Sequence, residues 1–341
     1  MRESLEKYRR LIQEGKVNPL RQWDGAASGA IFDPRDDSVP LTHMGFWAWN
    51  LQAGEFSGQT GPNEAVLIPM SGWVEAQAMG ATLTSAREGG PFATLPAASN
   101  ASAIYLPRQC DYRLRGQGEL IAFFGPARGD KPPAVVGVGE RDNIRRGTST
   151  WRRDVITLAT TEDVTTNLVV GETYSPPSLW SGTPLHVHDL DAPENGQSDH
   201  EEVYYHVARV TGGKWGAYGA QLLFDDAGLD KAYMIHNRSA FAIPGGAHPV
   251  VSGPVSDMLY VWGLCGRPEA SPKLGMLDIP EFAYLKIVGA IIDELDAQRK
   301  PVAISPARLT ELARQHKLTP EQTAMLALHL RQQGFDVRVP V

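Results

Sequence analysis

The chain has 341 residues, enough for two domains with separate cores, and a formal net charge of −7. This acidic balance argues against a nucleic-acid partner, and no apolar run approaches the roughly 20 residues of a membrane span. The only cysteines are Cys110 and Cys265, and the first residues lack the apolar core of a secretory signal. We therefore expect a cytoplasmic protein without a disulfide framework or a membrane partner.

A short amphipathic helix is predicted at the start of the chain. Within residues 2–14, one stripe carries Leu5, Tyr8, Leu11 and Ile12. Gly15 and the Asn-Pro pair that follows it end the helical pattern. We assign residues 1–24 to this helix and an arm that follows it.

The next hundred residues read as short strands. From about Ala30 to Gly125, apolar runs are separated by glycine and proline, with no helical pattern between them. Such spacing predicts an antiparallel sandwich or barrel. His43 is the only histidine in this half and has no neighbour at the spacing of a ligand pair. Residues 25–130 are therefore predicted to form an N-terminal barrel without a metal.

A second series of strands follows a connector rich in proline, glycine and charge at 126–143. Besides the histidine-rich segments, its strand-like runs are 154–158, 167–174, 217–224, 232–237, 240–243 and 258–264. Residues 131–270 are predicted to form a C-terminal, metal-binding barrel. Two β-halves of similar length indicate a duplicated barrel, although no internal repeat is visible.

The last segment, 271–341, is predicted to be a helical tail. Asp278 and Glu281 stand at the spacing of a capping box ahead of an apolar run. Ser305 and Thr319, each followed by proline, open two further helices. A tail of this length cannot bury much of a core alone, so we expect it to pack on the barrels or on a second subunit of a homo-oligomer. A partner-binding module is the alternative.

The segment from Pro184 to Val207 carries the chemistry. His186 and His188 are two residues apart, so on a strand their rings share a face. The strand-like run that follows offers Glu202, and a glycine turn delivers His248. Six of the nine histidines lie between the first and the last of these. We predict one metal ion held by His186, His188, Glu202 and His248.

Three imidazoles and one carboxylate suit several divalent ions. Zinc and manganese are expected first, with iron or nickel as alternatives. Four protein ligands could close a structural site, but Tyr204 and His206 share the face of Glu202, which favours catalysis. Tyr204 is either an acid–base group or a wall of the pocket, and His206 is the second catalytic candidate. Glu201 is predicted to face the other way.

Several motifs together resemble one family. They are Arg-Arg-Gly at 145–147 with Arg153, Trp180-Ser181 before Pro-Leu-His-Val-His-Asp at 184–189, Glu-Glu-Val-Tyr-Tyr at 201–205, and Pro-Gly-Gly-Ala-His-Pro at 244–249. Over roughly residues 29–267, the chain resembles the cupin superfamily and, within it, the 5-deoxy-glucuronate isomerases of myo-inositol breakdown. These are bicupins related to the uronate ketol-isomerases.

The resemblance implies an all-β bicupin, here with a C-terminal helical extension. It also implies a metal-dependent aldose–ketose isomerase acting on a small deoxy sugar acid, with the same four metal ligands. Two positions depart from the family pattern: Val187 replaces a lysine, and Gln221 replaces an arginine suited to a substrate carboxylate. Either the substrate preference has shifted away from the inositol-pathway acid, or another residue binds the carboxylate. Gln221 still offers one neutral hydrogen bond, and Arg146 or Arg153 could replace the missing arginine.

Two other functional classes stay open at this point. One is another metal-dependent cupin enzyme, a dioxygenase or a decarboxylase. The other is a non-catalytic sugar-binding or regulatory cupin with the helical tail as its docking element. Metal identity, oxygen consumption and carbon dioxide release distinguish the first class, and turnover by the metal-loaded protein distinguishes the second.

Overall fold

The computed structural model describes residues 3–210, 216–297, 304–332, 335 and 337. The helices are α1 (Glu3–Gln13), α2 (Pro280–Ala283), α3 (Leu285–Ala297), α4 (Pro306–Gln315) and α5 (Pro320–Gln332). The strands are β1 (Leu20–Gln22), β2 (Gly29–Phe32), β3 (Gly45–Asn50), β4 (Phe56–Gln59), β5 (Asn63–Pro69), β6 (Gly72–Ala78), β7 (Ala81–Arg87), β8 (Ala103–Leu106), β9 (Asp111–Gln117), β10 (Glu119–Pro126), β11 (Ala134–Val136), β12 (Ile144–Arg146), β13 (Arg153–Ala159), β14 (Leu168–Ser175), β15 (Trp180–Ser181), β16 (His186–Val187), β17 (Asp189–Ala192), β18 (Gln197–Val210), β19 (Tyr218–Phe224), β20 (Asp230–His236), β21 (Ser239–Ile243), β22 (Val250–Ser252), β23 (Ser256–Gly266) and β24 (Leu277–Asp278). Strands dominate, and four of the five described helices, α2 to α5, lie at the C-terminal end, which confirms the predicted fold class. None of the described helices has the length and apolarity needed to cross a membrane.

The first half is a pair of antiparallel sheets. One has the order β11-β8-β5-β10-β3-β2, and the other has the order β4-β9-β6-β7. Strand β5 is a continuous apolar run because both of its faces are buried. Ala65 and Leu67 pack with residues of the second sheet, whereas Val66 and Ile68 face the other half of the molecule.

The second half repeats this arrangement. Its larger sheet has the order β1-β21-β18-β23-β14-β13-β12, with β17 beside β18, and its smaller sheet has the order β15-β22-β19-β20. The predicted N-terminal helix is confirmed as α1, and β1 then pairs with β21. Tyr8 and Ile12 of α1 pack against Leu223 and Phe241. The N-terminal arm therefore belongs physically to the second half.

The two halves pack through the outer faces of their larger sheets. Val203 and Tyr205 on β18 enter one core with Phe46 and Phe123 of the first half, and the rings of Phe46 and Tyr205 are 5.6 Å apart. Side chains alternate along a strand, so the intervening residues of β18 face the interior of the second barrel. The interface between the halves thus fixes which residues of β18 point into that barrel.

Two buried glutamates join the halves reciprocally. Glu201 of β18 faces away from Glu202, as predicted, and accepts main-chain hydrogen bonds from residues 42–44 at 2.8–3.2 Å. Glu64 of β5 accepts three such bonds from residues 166–168, each at 2.7 Å. Each half therefore supplies a carboxylate that ties down a loop of the other.

The predicted domain division stays a prediction, but contacts cross two of its boundaries. Strand β11 pairs with β8, so the first half's sheet extends past residue 130. Strand β24 pairs with β16, so the segment after residue 270 begins with a strand that contacts the second barrel. Within the predicted tail, residues 298–303, 333, 334, 336 and 338–341 lie outside the described residues.

The predicted capping box at Asp278 is wrong. Helix α2 begins after Ile279 without a side-chain cap, and Asp278 is part of β24 with its carboxylate 2.5 Å from Lys286 Nζ. Pairing with β16 therefore overrides the local capping pattern. The other two predicted starts are confirmed, since Ser305 caps α4 and Thr319 exchanges hydrogen bonds with Gln322 at the start of α5.

The tail packs on the second barrel, as expected. Buried residues of α3, α4 and α5 form one core with Trp151, which precedes β13. The rings of Trp151 and His329 meet edge to face, with centroids 4.6 Å apart. Trp151 is thus the anchor of the helical tail.

Candidate active site

The four predicted metal ligands meet inside the second barrel. Glu202 Oε2 lies 3.2 Å from His188 Nε2 and 3.1 Å from His248 Nε2. Potential ligand atoms of these three residues all lie within 4.8 Å of one another. His186 stands beside the group, with its ring centroid 5.4 Å from that of His248. Three side chains thus form a possible metal site, and the fourth adjoins it.

Different elements deliver these side chains. Glu202 projects inward from β18, His186 lies on β16, and His188 lies at the break between β16 and β17. His248 follows a Gly-Gly turn after β21, and Asp189 Oδ2 accepts a hydrogen bond from Gly246 N at 2.8 Å. A Cβ at the preceding glycine would lie 2.8 Å from the Asp189 Cβ, so the close approach requires glycine there.

Backbone carbonyls fix the orientation of all three imidazoles. The Nδ1 contacts are His186 to Pro184 O at 3.0 Å, His188 to His200 O at 3.0 Å, and His248 to Gly246 O at 2.7 Å. A carbonyl can only accept, so in these contacts each Nδ1 carries the hydrogen. A metal ion would therefore be bound through Nε2, the other ring nitrogen. Such a carbonyl at Nδ1 is the usual orienting partner of a metal-bound histidine.

The electrostatics also fit a cation. Burial acts to raise the pKa of Glu202, but the adjacent imidazoles of His188 and His248 outweigh it and lower that pKa to about 2. Burial acts to lower the pKa of His188, but Glu202 outweighs it and raises that pKa. Burial, followed by the neighbouring imidazoles, lowers the pKa of His186 to about 3. A buried carboxylate needs a compensating positive charge, which a divalent ion supplies.

The cluster opens onto a cavity of about 650 Å³. Of the four predicted ligands, His186 and Glu202 line this cavity, whereas His188 and His248 do not. Tyr204 and residues of β12, β13 and α3 are among the other lining residues. Tyr260 on β23 also lines it, with its ring centroid 4.6 Å from that of Tyr204. The cavity therefore brings the possible metal site together with two phenol side chains.

Both phenols remain protonated at neutral pH. Burial, followed by the negative charge of Glu202, raises the pKa of Tyr204 well above its usual value. Burial also raises the pKa of Tyr260, whose hydroxyl is hydrogen-bonded to Ser181. Tyr260 did not emerge from the sequence, although alternation along its strand could have placed it on the inner face with Trp262.

Two arginines face the cavity from neighbouring strands. Arg146 on β12 and Arg153 on β13 are direct cross-strand partners, and both line the cavity. Arg145 has a carboxylate nearby, with Asp154 at 3.6 Å. In the part of the chain that the structure describes, Arg146 and Arg153 form no such ion pair, and Arg153 Nη1 donates to Trp151 O at 3.1 Å. Like charges directly opposite one another are unfavourable, so this pair would gain from an anion.

Two of the four predicted catalytic and substrate-binding residues do not line the cavity. His206 is fully buried behind Tyr204, with its Nδ1 3.1 Å from Ser239 O, and burial lowers its pKa to about 4. Gln221 Nε2 donates to the carbonyl of His248 at 2.7 Å and to that of Pro249 at 3.2 Å. The catalytic role of His206 and the substrate role of Gln221 stay predictions. The contacts of Gln221 instead hold the turn that carries His248.

Replacing Gln221 by methionine should weaken metal binding about 10- to 100-fold, the range typical of lost outer contacts at metal sites. The variant leaves the His248 turn without the amide that fixes its carbonyls. Metal affinity is measured by competition with a chromogenic chelator. Gln77→Met, on an exposed position of β6, is the control and should bind as the native protein does. Equal affinity in the two variants would contradict the positioning role.

Two joined antiparallel barrels, one of them carrying a His-Glu-His cluster, define a bicupin. Solved structures of similar fold agree with this class. An IolB-like protein from Salmonella typhimurium LT2 aligns over 79% of this chain and 100% of its own, with a TM-score of 0.69 and 23% identity. The oxalate decarboxylase of Lactobacillus farciminis aligns over 90% and 96%, with a TM-score of 0.53 and 8% identity.

The chain belongs to the KduI/IolB family, whose sequence model matches residues 20–285. Curated relatives are named 5-deoxy-glucuronate isomerase. The one from Geobacillus kaustophilus is 26% identical over 48% of this chain and 59% of its own length, and one from Listeria monocytogenes is 29% identical over 44% and 54%. The chain therefore spans little more than half the length of the curated relatives that it matches.

Proposed function

We propose that this protein is a metal-dependent aldose–ketose isomerase that acts on a deoxy sugar acid. The observation that carries the proposal is one shared cavity, and its lining includes two members of the possible metal site, two phenols and two arginines: His186, Glu202, Tyr204, Tyr260, Arg146 and Arg153. The names of the curated relatives support the reaction class. The resemblance to 5-deoxy-glucuronate isomerases supports the substrate class.

His186, His188, Glu202 and His248 would hold one divalent ion, with zinc or manganese expected first. When bound, such an ion acts as a Lewis acid on the carbonyl and adjacent hydroxyl oxygens of the sugar acid. The Nδ1 hydrogen bonds keep the three imidazoles turned towards that position. The arrangement thus needs little reorganisation of the chain when the substrate arrives.

The other cavity residues orient the substrate and supply hydrogen bonds. Arg146 and Arg153 bind the carboxylate through charge-assisted hydrogen bonds. Tyr204 and Tyr260, as protonated phenols, would donate hydrogen bonds to the substrate oxygens and stabilise the negative charge that develops on them while the proton moves between the two carbons. Gln221 has its amide on the main chain of the His248 turn, so the arginine pair is the better candidate for the carboxylate.

The test combines metal analysis with turnover. Purified protein should contain about one equivalent of a divalent metal and should convert 5-deoxy-glucuronate or a related deoxyuronate into its ketose, followed by proton NMR. Oxygen consumption or carbon dioxide release by the metal-loaded protein would contradict the proposal and favour a dioxygenase or a decarboxylase. Binding without any turnover would favour a sugar-binding cupin.

Replacing Arg153 by glutamine should raise the KM for the sugar acid about 10- to 150-fold, because a charge-assisted pair contributes roughly 1.5–3 kcal/mol. The expected increase disappears for a neutral analogue without the carboxylate, which separates recognition of charge from damage to the site. Arg152→Gln removes the same charge from the neighbouring exposed residue, which does not line the cavity, and is the control. A similar KM in both variants would assign the carboxylate to another residue.

A further inference from the structure

One wall of the cavity lies almost entirely outside the family match. Helix α3 contributes five lining residues at helical spacing: Leu285, Lys286, Gly289, Ala290 and Asp293. They lie on one side of the helix, which faces the cavity. The family match ends at residue 285, so the last four lie beyond it. We propose that this face of α3 is a wall of the substrate site and that Gly289 sets the room available to the substrate. The inference rests on the proposed function.

The start of α3 is tied to the segment that carries the first histidine. Strand β24 pairs with β16, with His186 opposite Asp278. Ile279 N then donates to Leu185 O at 2.8 Å, and Lys286 Nζ lies 2.5 Å from Asp278 Oδ2. These contacts hold the first turn of α3 at a fixed place relative to the possible metal site.

The opposite side of α3 is held by the core of the tail. Val288, Ile291 and Ile292 are buried in one core with Trp151. Trp151 also lines the cavity, and its carbonyl accepts the hydrogen bond from Arg153. The wall and the arginine pair therefore share an anchor, and the helix cannot move away from the cavity without breaking that core.

Gly289 leaves open space at this wall. A Cβ placed there would meet only the Thr148 Cγ2 atom, at 3.8 Å, which is an ordinary contact. Glycine inside a helix is less favourable than alanine, so its place here is not explained by helix formation. A large side chain at residue 289 would extend into the cavity and compete with the substrate for the space.

The experiment measures binding of 5-deoxy-glucuronate to the full-length, zinc-loaded protein by calorimetry. Gly289→Phe should weaken binding about 10-fold or more, because overfilling a packed space is unfavourable, whereas Gly289→Ala should change it by less than about 3-fold. Ile287→Phe places the same aromatic ring at an exposed, non-lining position of α3 and should bind as the native protein does. Ala290→Trp is the second filling variant if the first does not fold.

A second readout separates this inference from the proposed function. EDTA should remove zinc more slowly from Gly289→Phe than from the native protein, because the cavity is the path to the site. If both filling variants bind the sugar acid and lose zinc as the native protein does, the inference that α3 forms a wall of the substrate site is wrong. If binding follows the expected pattern but no isomerisation occurs, the proposed function is wrong and the inference about α3 holds. If the native protein binds no sugar acid, the proposed function is wrong. The rates of zinc removal from the native protein and from Gly289→Phe then test whether α3 lines the path to the metal site.

Discussion

Replacing His248 by alanine should abolish stoichiometric metal binding and the turnover that depends on it. The imidazole is oriented by its bond to Gly246 O and faces Glu202 from 3.1 Å, so its loss removes a ligand and leaves the carboxylate with one imidazole contact fewer. Losing a direct ligand should cost more than the roughly 10- to 100-fold typical of outer contacts. His188→Ala and Glu202→Ala should behave alike. His186 lies beside the three-residue group. The metal content of His186→Ala tests whether this fourth predicted ligand contributes as much to metal binding as the other three.

His236→Ala is the matched control for these variants. His236 lies on β20 of the same barrel and also places its Nδ1 near a main-chain carbonyl, with Ala217 O at 3.1 Å, but it is exposed and outside the cavity. Its replacement should leave the metal content at one equivalent. Elemental analysis of the dialysed proteins measures the result. A full equivalent of metal in both His248→Ala and His188→Ala would place the metal elsewhere.

The centre of the site could be predicted because its signals are local. Alternation along β18 decides that Glu202 and Tyr204 share one face while Val203 and Tyr205 share the other, and the structure has that arrangement. The Gly-Gly turn before His248 is also a local signal, since two glycines permit the tight approach to Asp189. The two-residue alternation along a strand and the residues of the turn therefore predict where these side chains lie, without long-range information.

The rest of the cavity depends on register and packing, which a single sequence does not display. Arg146 and Arg153 reach the cavity as a pair only because β12 and β13 align them directly. Asp278 and Glu281 have the spacing of a capping box, yet pairing of β24 with β16 makes Asp278 a strand residue. Gln221 replaces an arginine of the family pattern, but only the contacts show that its amide holds the His248 turn.

Replacing Glu64 by leucine should lower the free energy of unfolding by at least about 3 kcal/mol. The side chain is fully buried at the interface between the halves and accepts three main-chain hydrogen bonds from residues 166–168, with further bonds from the hydroxyls of Thr166 and Tyr105. Leucine cannot accept any of them, so several buried donors would lose their partner together. Hydrogen bonds to a charged acceptor are each stronger than neutral ones, which makes the loss large.

Glu75→Leu is the control, because Glu75 forms an ion pair with Arg115 at 2.7 Å in the same half, where Arg115 is largely exposed. An ion pair with a solvent-exposed partner contributes about 1 kcal/mol or less, so this variant should unfold much closer to the native midpoint than Glu64→Leu does. Urea unfolding followed by tryptophan fluorescence gives both midpoints, and metal content shows whether the second barrel stays intact at zero denaturant. Glu64 lies in the half that does not carry the predicted metal ligands, so the folded Glu64→Leu protein should still bind metal. Equal midpoints for the two variants would mean that the interface between the halves does not depend on this carboxylate, and that apolar packing around Phe46 and Tyr205 holds it alone.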